Sequence, residues 1–88
     1  MYKKLMELKN KHVHLAVRLP GGDLYYETAN TLHVQPIEEH AEYSAHPNYF
    51  AVDAVSSAGE VCAVAIFHAE SVREIKTIEG NPYPTIFI

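Results

Sequence analysis

The chain has 88 residues, 48% of them apolar and 20% charged, a composition that places it among globular domains and excludes a disordered tract. A single domain of this size buries only about 60–65% of the surface its unfolded chain exposes, which excludes a large internal active-site cavity. The formal charge of −4 is unevenly spread: Lys3, Lys4, Lys9 and Lys11 outweigh Glu7 at the start, whereas everything after Lys11 holds three cations and ten acids. An acidic body of this kind excludes the broad phosphate neutralisation on which duplex binding depends.

No apolar run approaches the roughly 20 residues of a membrane span, and no signal-peptide pattern opens the chain, so a cytoplasmic protein without a membrane partner is expected. Cys62, the only cysteine, excludes an internal disulfide and fits a reducing compartment.

Residues 2–11 predict a short amphipathic helix, with Tyr2, Leu5 and Met6 on one side and Glu7 four residues before Lys11. Such a helix is too short to persist alone and must lie against something. Strict alternation follows, Val13, Leu15, Val17 and Leu19 facing one way and His12, His14, Ala16 and Arg18 the other, the pattern of a half-buried strand. Pro20 and Gly21 predict a turn in which Gly21 takes the positive φ. Extended structure resumes over 24–28 and 31–35, as one bent strand or as two across a turn at 29–30, and Pro36 ends regular pairing or marks an edge. The polar, acidic stretch 37–48 reads as a long loop with one helical turn through 38–43. A strand over 48–56 puts Phe50, Val52 and Ala54 on one face and Tyr49, Ala51, Asp53 and Val55 on the other. After a hairpin turn at 57–60, residues 61–68 (VCAVAIFH) are apolar on both faces, which predicts a strand covered on both sides with Cys62 as an inert filler. A last strand spans 72–78. The prolines at 82 and 84 require an extended tail over 81–88, whose Ile86, Phe87 and Ile88 must be buried by this chain or by a neighbour.

The element order, one short helix then five or six short strands, predicts a mainly β fold with the helix as its lid. The residues Val13-His14-Leu15-Ala16-Val17-Arg18-Leu19-Pro20-Gly21-Gly22 look like the first strand and L-x-x-G turn of the Sm-like (LSm) family. Ile66-Phe67-His68-Ala69-Glu70-Ser71-Val72 is similar to the Y-K-H-A-x-S segment of that family's bacterial RNA-chaperone branch. The resemblance implies a strongly bent, five-stranded open β-barrel over 12–80 behind a helix at 2–11, with 81–88 as an apolar tail. It also implies a short 3₁₀ turn after His68 and a homo-oligomeric ring of about five to seven subunits, closed by repeated strand pairing. Residues 61–68 of one copy would then pair with 72–78 of the next, through Val61, Val64, Ile66, Val72, Ile75, Ile78 and Phe87. The sequence alone supports a partner for 61–68, because that stretch carries neither Lys nor Pro to guard an edge.

From the same resemblance, single-stranded RNA at the pore is the expected ligand, with His68, Phe67 and Asn30 as its contacts. Tyr25, Tyr26, Tyr43 and Tyr49 read as packing residues before they read as an aromatic platform. His12 and His14 share a face at a spacing that suits two imidazoles on one metal, but no third ligand stands at a fixed distance, so no metal and no cofactor is assigned. No nucleophile elbow, phosphate loop or paired-carboxylate spacing is present, and the chain reads as non-enzymatic. The expectation is a scaffold or binding module. The alternatives are a histidine-based metal protein or metal-dependent enzyme, and an accessory structural subunit of a larger assembly such as a virus particle.

Overall fold

The computed structural model describes residues 1–28, 30–37 and 47–88. The loop and helical turn expected between 37 and 48 fall for the most part outside the described residues, as do His40, Tyr43 and His46. The chain is mainly β with one short N-terminal helix. The elements are α1 (Tyr2–Glu7), β1 (His14–Leu19), β2 (Gly22–Tyr25), β3 (Thr31–Pro36), β4 (Tyr49–Val55), β5 (Val61–His68), a 3₁₀ turn (Ala69–Ser71), β6 (Glu74–Thr77) and β7 (Pro84–Phe87).

The strands divide between two sheets, one ordered β2-β1-β7-β6 and the other β3-β4-β5, and no barrel closes among the described residues. Helix α1 is shorter than the expected 2–11. Its last turn closes when the Leu8 N–H donates to the Leu5 carbonyl (3.1 Å) and the Lys9 N–H to that of Met6 (3.2 Å), and Asn10 then turns the chain with φ of 64°. Asparagine tolerates that left-handed conformation, which redirects Lys9 into a bridge with Val34. Leu5 is fully buried and the Tyr2 ring meets Phe50 edge-on at 5.4 Å, so the predicted face of the helix does cover the core.

The β1–β2 hairpin forms as expected, Leu19 pairing with Gly22, but the positive φ (131°) falls on Gly22 and not on Gly21. Residues 31–36 belong to the other sheet, so β3 does not continue β2. The sheets join where His12 bridges His33 and the Val13 N–H donates to the Leu32 carbonyl at 2.9 Å. One core lies between them, with Leu15 and Ile86 from one sheet and Leu32, Val34, Phe50, Val52 and Phe67 from the other.

The C-terminal segment is no loose tail. Strand β7 lies inside its sheet, parallel to β1 (His14 opposite Thr85, Ala16 opposite Phe87) and antiparallel to β6 (Ile75 opposite Ile86). Thr85, Ile86 and Phe87 are buried there by the chain's own residues. Alternation explains the fit, since Ile86 faces the core beside Leu15 while Thr85 and Phe87 turn to the opposite face.

Strand β5 departs most from expectation. It is not covered on both sides but is the last strand of its sheet, paired only with β4 among the described residues. Val61 is 59% and Ile66 47% exposed, and Cys62, expected as buried filler, is exposed too. Continuous apolarity signals burial only when something lies on each face. Here the register also slips between Val52 and Asp53, which pair with Ala65 and Ala63 and leave Val64 as a bulged residue. A bulge is one of the devices that blunt an edge, and no residue type in the sequence announces it.

Candidate functional site

Two regions gather the residues of interest, a histidine–tyrosine cleft where the sheets meet and the outer edge of β5. The cleft follows from the period of two. His12 and His14 project to one side of the same extended run, and their rings stack at 5.5 Å and 20°. The bridge between His12 and His33 brings a third imidazole to 6.5 Å. Tyr83 lies flat on His12, its centroid 3.8 Å away and the planes 18° apart, and it is 5.9 Å from His14. A small turn places that ring: the Asn81 N–H donates to the Ile78 carbonyl (2.9 Å), and Asn81 Oδ1 accepts the Tyr83 N–H (3.1 Å).

The adjoining cleft encloses about 310 Å³, with Val13, Leu15 and Leu32 among its lining and Tyr25, Tyr26 and Glu27 beside them. Asn30 also lines it, its N–H held by Thr28 Oγ1 at 3.1 Å. Burial, then the neighbouring positive charge that His14 and His33 carry when protonated, lowers the pKa of His12 below its ordinary value. Among the described residues no group of three or more His, Cys, Asp or Glu is placed to hold a metal ion. Stacked imidazoles direct their nitrogens along parallel planes and do not converge on one point.

The RNA candidates do not share one place. Asn30 lines the cleft, whereas neither Phe67 nor His68 does. Phe67 is buried against Phe50, ring centroids 6.5 Å apart. His68 caps the 3₁₀ turn, its Nδ1 accepting the Glu70 N–H at 3.0 Å, while Tyr49, opposite it on β4, presents an edge to its ring at 5.0 Å. That bond commits Nδ1 as an acceptor and leaves Nε2 as the N–H donor of the neutral ring.

Of the interface candidates, Val72 and Phe87 are buried within the chain itself, Val64, Ile75 and Ile78 are half-buried, and Val61 and Ile66 are exposed. Phe87 is enclosed by Tyr25 edge-on at 6.0 Å and by the Arg73 and Lys76 cations over its ring at 5.8 and 5.3 Å. Arg73 also bonds Asp23 (2.6 Å) and the Ile88 main-chain oxygen (3.2 Å), tying the hairpin to the chain's last residue. Sequence reasoning passed over Tyr83 and Arg73. For Tyr83 a signal existed, an aromatic held between two prolines in a segment that had to be extended. For Arg73, 50 positions from Asp23 in the chain, none did.

No family model, curated protein or solved structure matches this chain. No helix among the described residues is long and apolar enough to cross a membrane.

Proposed function

We propose that the chain is a non-enzymatic interaction module that assembles with further copies of itself by strand pairing at the outer edge of β5. One observation carries this reading: β5 ends its sheet with no charged residue or proline between Val61 and Phe67 and with Val61 and Ile66 in solvent. Unpaired N–H and C=O groups on such an edge are a template for another strand. The bulge at Val64 divides the edge, and the stretch 65–68 beyond it is as long as β6, which ends the other sheet.

Each copy thus offers both halves of a heterologous contact, and repetition of that contact must close into a ring to stay soluble. This is the Sm-like arrangement in outline, with about five to seven copies by analogy with that family. Single-stranded RNA is the ligand class that goes with it, and His68 Nε2 is the atom left to meet a base. Sedimentation or light scattering tests the assembly. A multiple of 9.9 kDa that Ile66→Lys reduces to the single chain, with the circular dichroism spectrum retained, supports it. A 9.9 kDa wild-type species at tens of micromolar overturns it. Retention of a uridine-rich oligonucleotide at low salt, weakened by His68→Ala, tests the RNA half separately.

A further inference from the structure

The cleft beside the histidines follows from how β1 changes partners. The Tyr26 N–H donates to the Leu15 carbonyl (2.8 Å), whereas two residues earlier on β1's approach the Val13 N–H donates to Leu32, in the second sheet (2.9 Å). The chain leaves β2 after Tyr25 and enters β3 at Thr31, so it must swing away between those two bonds, and a crevice opens at the divergence. We infer that this crevice, with Tyr25, Tyr26, Glu27 and His14 in its walls, is a binding site for a small organic cation, an alkylated ammonium.

Charge selects the sign of the ligand. Glu27 is the one acidic residue among the described lining residues, and no lysine or arginine stands with it there. Lys11, next to His12 in the chain, is exposed and outside the lining. Arg73 is held by Asp23, and Lys76 lies over the Phe87 ring. Imidazoles are neutral above their ordinary pKa of about 6.5, so at slightly alkaline pH the carboxylate dominates the crevice and disfavours a phosphate or carboxylate ligand.

The rest of the lining selects its kind. Glu27 is exposed, and a solvated carboxylate alone holds an ion only weakly. Aromatic rings supply what it lacks, because a weakly hydrated ammonium is attracted to their faces. Tyr25 and Tyr26 are both exposed at the crevice. His14 shares the face of Tyr25, since Tyr25 stands opposite Ala16 and His14 lies two residues before Ala16. His12 is fixed as a further wall by Tyr83, flat on it at 3.8 Å. Val13, Leu15 and Leu32 also line the space and suit alkyl groups better than a hydrated metal ion. At about 310 Å³ the crevice is at the small end of ligand sites, with room for a head group and a short chain. The site belongs to one chain and holds whether or not copies assemble at β5.

Titration of the isotope-labelled full chain with choline at about pH 7.5, followed through its amide signals by nuclear magnetic resonance, tests the site. Saturable shifts at Tyr26, Glu27 and Asn30 are expected, with a dissociation constant of about 1 mM or below. Dimethylbutanol, which has the same shape but carbon in place of the charged nitrogen, should bind at least about tenfold more weakly. Glu27→Gln and Tyr26→Leu should each weaken choline about tenfold, whereas Tyr26→Phe keeps the ring and should stay within about twofold of wild type. Unchanged amide signals of β4 in each variant report that the fold is kept. The absence of saturable shifts up to about 50 mM choline overturns the site. So does equal binding of dimethylbutanol, or choline binding that Glu27→Gln leaves unchanged.

Discussion

Strands β5 and β6 each end a sheet, yet they present different edges. Over 61–66, β5 shows only Val, Cys and Ala with one exposed Ile, whereas β6 alternates Glu74, Ile75, Lys76 and Thr77. On β6 the outward residues are charged and the inward Ile75 lies opposite Ile86, the usual way to keep a terminal strand solvated. Among the described residues, the guard on β5 is the bulge at Val64. The sheet that holds β7 is therefore tied together within the chain, through β7, the Arg73–Asp23 pair and the ring of Phe87, whereas the last strand of the other sheet holds Val61 and Ile66 in solvent. A terminal strand's composition shows which edge a protein has protected, and the backbone register shows how completely.

The comparison breaks first at the core. Both sheets contribute to a single apolar cluster, so in urea denaturation Phe50→Ala in one should cost about 3–5 kcal/mol and Ile86→Ala in the other about 2–5 kcal/mol, within one shared transition. Two separate transitions would show that the sheets fold independently, and the contrast between their edges would then concern two units. The next test is a turn. Gly22 sits at φ of 131°, so Gly22→Ala should cost about 1–3 kcal/mol although nothing lies near an added Cβ. A negligible loss would mean that the hairpin relaxes and is not what shapes the β2 edge.

The closed sheet also carries a polar flaw. Thr85 is fully buried on β7, and its hydroxyl has no hydrogen-bond partner among the described residues. Thr85→Val keeps the shape and the strand propensity and removes that group, so it should raise stability by about 1 kcal/mol by the same assay. A loss of stability would show that the hydroxyl is satisfied in solution.

Much of the fold could be read from the residues. Alternation located β1 and β4, Gly59 and the prolines marked turns, and the face of Leu5 and Met6 oriented the helix. Which strands meet was not legible. The apolar run of β5 has the composition of a central strand, and nothing local distinguishes an edge awaiting a partner from a strand already covered. The prolines gave 81–88 its extended form without naming β1 as its neighbour, because a parallel pairing between the two ends of a chain leaves no local trace. The cleft was half legible. The spacing of His12 and His14 put them on one face, but His33 and Tyr83 arrive from other segments, joined only by the crossing of the sheets.

Acid is the mildest way to separate the regions, since it acts on the junction and β5 carries no titrating side chain between Ala63 and Phe67. The folded chain holds His12 below its ordinary pKa, so between the folded and unfolded values the unfolded chain binds more protons. Stability is then whole above the ordinary histidine pKa of about 6.5 and declines as the pH falls below it. Removing the titrating group should flatten that decline, and His12→Gln should lose less stability than wild type between about pH 7.5 and about pH 5, from a lower starting value because Tyr83 loses the ring it stacks on. Assembly through β5, which involves none of the three imidazoles, should follow the acid dependence only as far as the fold itself does. Light scattering over the same range checks this. A particle that dissociates in acid before any loss of structure would place a titrating group on the pairing edge. His68, the one histidine on β5, would then be the first residue to substitute.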